Sequence, residues 1–355
     1  MSSVAASRWA LAQGDARAWV PARKKYGPPV THVVSGETAG VRTLRNVQWP
    51  GLAPVGDSSG PSTPPSLQSN AWLAQWERYR APGVPLWLAP VRPAGRAVTA
   101  EECLVALADC EASGARWVID CDDGAFPRVA EAVRFFDAHR DWRNFVAPRQ
   151  VGMVASAQPE MREVMSRMCQ LTIPFRLVAA PLPGMSALIV FGAPDRAAQE
   201  FANTGGLVIT LGWKAMNDRA TGDVAWVETR PHTRTGAGYV AAWRGPVADA
   251  QRFVRDLRVR LSPDNLAVKL HNGPGSMVRF TVSDDDGRGL LQVIHYGGRV
   301  WEEEITVWAQ YLASKAVLHQ WGAKPRVMET GRRDGGTEIV LSRLDTYAAV
   351  DFFPL

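Results

Sequence analysis

The sequence predicts an α/β protein that ends in a mainly antiparallel β domain. Up to about residue 213, short apolar runs alternate with amphipathic helical patterns, which is typical of parallel sheets covered by helices. After about residue 220 the apolar residues recur with a period of two, which is typical of antiparallel strands. With 355 residues, of which 46% are hydrophobic and 21% charged, the chain is long enough for two or three domains.

Composition and charge limit the kinds of molecule that the protein is expected to bind. The 40 basic and 35 acidic residues leave a net charge of +5 and are scattered along the chain, so we expect no nucleic-acid partner. No apolar run approaches the ~20 residues of a membrane span, so we expect no membrane contact. The amino-terminal residues lack the pattern of a secretory signal, and the sequence does not indicate the compartment. We expect no cofactor, and we expect the four cysteines to be buried thiols because no CxxC motif is present.

Residues 1–147 carry three apolar runs that predict strands, at 30–34, 85–89 and 116–120. Between the last two, Thr99 is placed to cap a helix that extends to residue 112, and Glu102 stands three residues later, as in a capping box. A strand, a capped helix and a second strand form a βαβ unit. The strands at 85–89 and 116–120 are therefore predicted to be parallel.

Two further domains are predicted after residue 147. Strand patterns at 151–154, 175–178, 187–191 and 207–211, with a helix at 160–171, predict a doubly wound, flavodoxin-like domain over 148–220. Residues 221–355 are predicted to form a mainly antiparallel β domain, for which a sandwich is one architecture. A helix at 247–261 interrupts its strands, which are predicted at 224–228, 238–243, 277–282, 290–296, 304–308 and 337–341.

Several short segments, taken in order, resemble beta-galactosidase-type glycoside hydrolases. They are GARWVID at 114–120, FFDAHR at 135–140, NTGGLVI at 203–209, GGTEIVL at 335–341 and DTYA at 345–348. That family has a catalytic TIM barrel, then a trimerisation domain similar to class I glutamine amidotransferases, then a β domain. The resemblance covers roughly residues 82–355. It implies a partial (β/α) barrel over 1–147, an amidotransferase-like domain over 148–220, a carbohydrate ligand and a homo-oligomer.

The chain departs from this family where catalysis would occur. A complete barrel takes ~250 residues, so residues 1–147 accommodate at most half of one. Retaining hydrolysis needs two carboxylates ~5 Å apart, which the family places on its fourth and seventh barrel strands. The candidate seventh strand, 85–91, has no Asp or Glu, and no segment corresponds to the fourth. We therefore expect a carbohydrate-handling protein that is non-catalytic or degenerate.

Four carboxylates remain as candidates for chemistry. Asp120 and Asp122 follow the strand at 116–120, Glu37 follows the strand at 30–34, and these three are the candidate catalytic residues. Asp123 is a candidate ligand-binding residue. Such a cluster could bind a hard cation or raise the pKa of its members. The alternative is that residues 122–124 form a turn in which Asp123 caps the next helix.

Aromatic and basic residues supply the other candidate ligand contacts. Trp72, Trp76 and Trp87 are candidates for stacking against sugar rings, although tryptophan serves core packing equally well. Four arginines expected in loops could meet acidic sugars: Arg42, Arg45, Arg92 and Arg96. Three hypotheses therefore stay open. They are a degenerate glycoside-hydrolase relative that binds carbohydrate, a self-assembling structural protein, and a metal-dependent hydrolase that uses the aspartate cluster.

Overall fold

The computed structural model describes residues 8–11, 30–31, 41–52, 67–91, 93, 95–121, 124–213, 226–229, 238–243, 249–261, 267–297 and 300–355. These residues belong to two compact units. Unit 1 takes the described residues of Met1–Phe145, Leu270–Trp308 and Leu312–Leu355, and unit 2 takes those of Val146–Lys269 and Ala309–Tyr311. No helix in the described ranges is long and apolar enough to span a membrane.

The amino-terminal part of unit 1 is a five-stranded sheet with helices. Its elements are β1 (Arg8–Leu11), β2 (Val30–Thr31), β3 (Arg42–Val47), the hairpin strands β4 (Gly51–Leu52) and β5 (Leu67–Gln68), α1 (Ala71–Arg80), β6 (Leu86–Pro90), α2 (Ala100–Ala112), β7 (Arg116–Asp120), α3 (Phe126–Ala138) and a 3-10 turn (Arg140–Asn144). The sheet order is β2-β1-β7-β6-β3. Strands β3, β6 and β7 are parallel, whereas β1 is antiparallel to β7 and to β2.

The predicted βαβ unit is confirmed in this sheet. Strands β6 and β7 are parallel and α2 connects them. The capping box also forms: the Glu102 N–H donates to Thr99 Oγ1 at 3.2 Å, and the Thr99 N–H donates to Glu102 Oε2 at 3.0 Å. The exposed Arg96 lies 2.5 Å from Glu102 Oε1. That hydrogen bond lowers the pKa of Glu102 and raises the pKa of Arg96.

Unit 2 contains a six-stranded sheet in which five strands are parallel. Its elements are β8 (Val151–Val154), α4 (Pro159–Gln170), β9 (Arg176–Val178), β10 (Ala187–Phe191), α5 (Arg196–Asn203), β11 (Leu207–Leu211), β12 (Trp226–Thr229), β13 (Tyr239–Trp243) and α6 (Ala250–Arg260). The sheet order is β12-β13-β11-β10-β8-β9, and only β12 runs antiparallel to its neighbour. Numbered along the chain, the parallel strands follow the order 2-1-3-4-5.

The boundary predicted at residue 221 does not coincide with the end of this sheet. Strand β13 pairs in parallel with β11 along its whole length, from Tyr239 beside Leu207 to Trp243 beside Leu211. Since β11 is buried at every position, it needs a neighbour on its outer side. Gly238 permits the close approach, because a Cβ there would overlap the carbonyl oxygen of Ala202. The change of hydrophobic period near residue 220 therefore does not end the α/β unit.

The carboxyl-terminal part of the chain forms two sheets. Its strands are β14 (Val268–His271), β15 (Ser276–Val282), β16 (Gly289–His295), β17 (Ile305–Ala309), β18 (Ala313–His319), β19 (Arg326–Met328), β20 (Gly331–Arg333), β21 (Gly336–Leu341) and β22 (Tyr347–Pro354). They assemble as β14-β17-β21-β20 and β15-β16-β22-β18-β19. The neighbouring strands of the five-stranded sheet pair antiparallel, as the period-two pattern predicts.

Polar contacts join the amino-terminal segment of unit 1, which ends at Phe145, to the part of unit 1 that begins at Leu270. The Tyr296 hydroxyl, just after β16, donates to Asp109 Oδ1 on α2 at 2.6 Å. The Arg279 guanidinium on β15 donates to Ser113 Oγ at 3.0 Å. Arg288 donates to Asp141 Oδ2 in the 3-10 turn at 3.1 Å. Residues far apart in sequence thus complete one another's hydrogen bonding within a single unit.

Candidate ligand-binding face of the N-terminal sheet

Strand register divides the N-terminal sheet into two faces. Thr43 of β3 lies beside Trp87 of β6, and Trp87 lies beside Arg116 of β7. Because successive side chains point to opposite faces of a sheet, these three positions share one face, which we call the Trp87 face. The next positions along β6 and β7, Leu88 and Trp117, are almost completely buried on the other face.

Trp87 forms the floor of its face. The side chain is 5% exposed and packs with buried Val118 and half-buried Val41 and Ala89. Its indole Nε1–H is buried and has no hydrogen-bond acceptor in the described part of the chain. A buried donor without an acceptor costs ~1–3 kcal/mol. The Trp87 face therefore holds a donor that a ligand oxygen would satisfy.

The face becomes more exposed toward the carboxyl ends of its strands. Ala89 is half-buried and Arg45, beside it in register, is exposed. Asp120 ends β7 two positions beyond Val118, so its backbone position falls on the same face. Its pairing partner on β1 is Arg8. The backbone thus brings the predicted candidates Trp87 and Asp120 to one face, near the sheet edge where α/β proteins bind ligands.

An ion-pair network supports the start of β7. Glu111, at the end of α2, accepts from Arg143 Nε at 2.5 Å and from Arg143 NH2 at 3.1 Å. Burial raises the pKa of Glu111, and Arg143 opposes that shift. Burial also lowers the pKa of Arg116, whose guanidinium carbon lies 5.8 Å from the centre of the Trp87 ring. Arg116 therefore brings positive charge next to the Trp87 ring.

The structure describes only two of the other predicted catalytic and ligand-binding residues. Trp72 and Trp76 lie on α1, not on the Trp87 face. Glu37, Asp122, Asp123 and the side chain of Asp120 lie outside what the structure describes.

Of the four arginines predicted to lie in loops, Arg42 and Arg45 are in strand β3 instead. The sequence analysis missed β3 because its polar residues do not look like a buried strand. Arg42 NH2 lies 2.5 Å from Glu77 Oε2. Arg92 lies outside the described residues.

Possible metal ligands and the cysteines are two further groups of side chains that could take part in chemistry. Within the described ranges, no group of three or more His, Cys, Asp or Glu residues is arranged to hold a metal ion. All four cysteines are buried thiols outside any disulfide, as predicted. They are Cys103, Cys110, Cys121 and Cys169.

Trp49 is a structural tryptophan that the sequence analysis did not single out. Its indole Nε1 donates to the Val91 carbonyl at 2.7 Å. Its ring meets Trp117 edge-on, with the ring centres 5.3 Å apart. Trp117 belongs to the face opposite Trp87, so Trp49 ties the ends of β3 and β6 together on that opposite side. The register that separates the roles of Trp49 and Trp87 cannot be read from composition.

Comparisons with known proteins identify the fold. No protein-family model and no curated protein matches the sequence. Among solved structures, alpha-L-fucosidase isoenzyme 2 from Paenibacillus thiaminolyticus is similar with a TM-score of 0.57 and 11% identity, covering 80% of this chain and 62% of that one. A rhamnosidase from Novosphingobium sp. PP1Y has a TM-score of 0.50 and 12% identity, covering 89% and 35%. A GH42 beta-galactosidase from G. stearothermophilus has a TM-score of 0.48 and 12% identity, covering 80% and 57%.

The fold is glycoside-hydrolase-like. Mixed α/β architecture with parallel and antiparallel sheets is confirmed at this level, as is the predicted resemblance to glycoside hydrolases. At 11–12% identity the likeness concerns the fold alone. The chain spans between 35% and 62% of the length of these glycoside hydrolases.

Proposed function

We propose that the protein binds carbohydrate on the Trp87 face and does not hydrolyse it by the usual pair of carboxylates. The observation that carries this proposal is the buried indole N–H of Trp87, which has no acceptor among the residues that the structure describes. It stands on a sheet face of a glycoside-hydrolase-like fold. Binding sites commonly combine apolar and aromatic walls with a few placed polar groups, and the Trp87 face has that composition.

The chemistry of this face suits a sugar. Sugar hydroxyl and ring oxygens accept hydrogen bonds, so one of them would satisfy the Trp87 donor. The apolar face of a pyranose packs well on an aromatic or aliphatic surface, and half-buried Val41 and Ala89 beside Trp87 provide aliphatic groups for it. Exposed Arg45 stands where a hydroxyl-bearing ligand would enter from the carboxyl edge. The solved relatives named above include a fucosidase, a rhamnosidase and a beta-galactosidase, so fucose, rhamnose and galactose are the first ligands to test.

The lack of conventional hydrolysis rests on the strand residues. Strand β6, Leu86–Pro90, reads LWLAP and contains no acid. Strand β3, Arg42–Val47, reads RTLRNV and contains none either. Within strand β7, Arg116–Asp120, the one acidic residue is Asp120, whose backbone position falls on this face. One carboxylate does not supply both the acid and the nucleophile of a retaining mechanism.

Binding can be tested by removing the Trp87 donor and keeping the ring. We expect Trp87→Phe to weaken binding of galactose, fucose or rhamnose saccharides about threefold to tenfold in calorimetry, which is the worth of one neutral hydrogen bond. Trp243→Phe is the matched control, because its indole nitrogen in unit 2 is also buried and has no hydrogen-bond acceptor within the described ranges. Equal loss in both variants, or no saccharide bound by the wild type, would refute the proposal.

Catalysis is tested with aryl glycosides and polysaccharides, with and without divalent cations. We expect no product release from the wild type or from Asp120→Asn. Turnover that disappears in Asp120→Asn would instead favour a working aspartate site. Turnover that survives the substitution would place catalytic groups elsewhere in the chain. Either result would overturn the non-catalytic part of the proposal.

We further propose that unit 2 is an amidotransferase-like domain through which the chain self-associates. The parallel strand order 2-1-3-4-5 is that of flavodoxin-like sheets and supports this assignment. The sequence resemblance to a trimerisation domain points the same way. Native mass spectrometry at micromolar concentration should then detect a homo-oligomer. A mass of 38.8 kDa at every concentration, the mass of a single chain, would contradict self-association.

A further inference from the structure

Helix α1 carries three aromatic residues on the side opposite its buried side. Ala71, Ala74 and Glu77 are buried and recur every three residues. Trp72, Trp76 and Tyr79 recur every three or four residues and are half-buried. With 3.6 residues per turn, the two sets centre on opposite sides of the helix. The outward side of a surface helix is usually polar, so this aromatic stripe requires an explanation.

The stripe has the geometry of a stacking surface. The rings of Trp76 and Tyr79 stack on each other with centres 6.3 Å apart and planes inclined by 30°. The other side of α1 is anchored independently: Glu77 pairs with Arg42 at 2.5 Å and lies 3.7 Å from Arg80. The helix therefore does not depend on the stripe for that anchoring.

We propose that the stripe of Trp72, Trp76 and Tyr79 binds an extended glycan chain, one aromatic ring to each sugar ring. The proposal rests on the carbohydrate function above and adds a second, separate contact surface. Trp72 and Trp76 stand about one helical turn apart along the helix, ~5.4 Å, and the Trp76 and Tyr79 ring centres are 6.3 Å apart, so the rings are spaced to meet successive sugar units. The half-exposed side chain of Arg80 flanks the stripe and can donate to sugar hydroxyls.

The size of the stripe favours a glycan over a second copy of this chain. A stable dimer needs about 800 Å² of surface from each partner. Three half-buried rings supply only a small part of that area. A glycan chain needs only narrow contact and gains affinity through successive stacking interactions. The expected ligand is thus an oligosaccharide of three or more units rather than a monosaccharide.

Chain length provides the test. Affinities of galacto-oligosaccharides and xylo-oligosaccharides of one to six units are measured with the wild type, with the double variant Trp76→Ala/Tyr79→Ala, and with Trp213→Ala. Trp213 is a partly buried tryptophan of unit 2 and serves as the control. We expect wild-type affinity to rise at least tenfold from one unit to four. The double variant should lose most of that rise, while Trp213→Ala keeps it.

The outcomes separate this inference from the function proposed above. A wild-type affinity independent of chain length refutes the stripe and leaves the Trp87 face standing. Loss in the double variant without any effect of Trp87→Phe supports the stripe and refutes the Trp87 face. Since alanine variants can unfold, melting temperature and circular dichroism are compared first. If the double variant is unstable, Trp76→Leu/Tyr79→Leu keeps the apolar volume, and the same loss of length dependence is required of it.

Discussion

Asp109 shows how a single residue connects distant parts of unit 1. It is fully buried on α2 and accepts from Ser69 Oγ at 2.5 Å, from the Asn70 N–H at 2.9 Å and from the Tyr296 hydroxyl at 2.6 Å. Burial raises the pKa of Asp109, and the hydrogen bonds from Ser69, Tyr296 and Asn70 oppose that shift. The raised pKa makes the stability of the protein depend on pH.

The sign of this dependence follows from linkage. With a raised pKa in the folded state, Asp109 keeps its proton at pH values where the unfolded chain has lost it. Its stabilising contribution is therefore complete below the usual pKa of ~3.9 and declines as pH rises through the folded value. Asp109→Asn mimics the protonated acid and does not titrate. The free energy of unfolding is measured with urea between pH 4 and 7. As pH rises, the variant should gain stability relative to the wild type. If the difference in unfolding free energy between the two proteins does not change with pH, the raised pKa of Asp109 is contradicted.

Gly114 is a residue that admits no side chain. Its φ of +70° is in the left-handed region, and a Cβ would overlap the Arg78 guanidinium and lie 2.9 Å from the Arg143 carbonyl oxygen. We expect Gly114→Ala to lower the free energy of unfolding by about 2 kcal/mol or more. Gly335→Ala is the control, because Gly335 has φ +72° with no atom within 4 Å of the added Cβ. Equal losses in both variants would show that only backbone strain matters at Gly114.

Among the elements, helix α2 was the most predictable. Its capping box depends on residues three positions apart, so the sequence contains all of the required information. The exposed location of Thr99 and Glu102 leaves their contacts independent of core packing. Strand β3 is the opposite case. Its polar residues are tolerated because it lies at the edge of the described sheet, and only its pairing with β6 reveals it as a strand.

The cap of α2 gives a prediction at this scale. Thr99→Ala should cost about 1 kcal/mol of unfolding free energy, because the Glu102 N–H loses its acceptor, the Thr99 hydroxyl. Thr99→Ser keeps the hydroxyl and should stay within a few tenths of a kcal/mol of the wild type. Chemical denaturation of both variants measures the difference. Serine and alanine variants of equal stability would contradict a role for the cap.

At the scale of the whole molecule, unit 1 is built from both ends of the sequence. The segments ending at Phe145 and resuming at Leu270 belong to the same unit. The first segment buries polar groups whose partners are in the second, including Asp109 and Ser113. Unit 1 is therefore not a continuous range of the sequence, and no single boundary between residues separates it from unit 2.

This arrangement predicts that the first segment does not fold alone. A fragment of residues 1–145 should show reduced ordered circular dichroism and no cooperative thermal transition, because Tyr296 and Arg279 are missing from it. The full chain is the reference, and residues 270–355 supplied in trans should restore part of the signal. A fragment that melts cooperatively at the temperature of the full chain would contradict the dependence between the segments.

The sequence by itself determined the features that depend on near neighbours. These are the alternation of strands and helices, the cap of α2, the parallel pairing of β6 with β7, the buried cysteines and the resemblance to glycoside hydrolases. It also nominated Trp87 and Asp120 as candidate site residues, without relating one to the other. All of these are readable because helical and strand periods and turn residues act over a few positions.

Only the tertiary structure decided which residues meet. It placed Trp87 and the end of β7 on one face, separated Trp72 and Trp76 on α1 from that face, and added β13 to the parallel sheet. It also showed that the Trp87 N–H has no acceptor in the part of the chain that the structure describes. Such facts depend on strand register and on partners far apart in the chain. A shift of one residue in register exchanges the two faces of a strand, and no local pattern in the sequence specifies that choice.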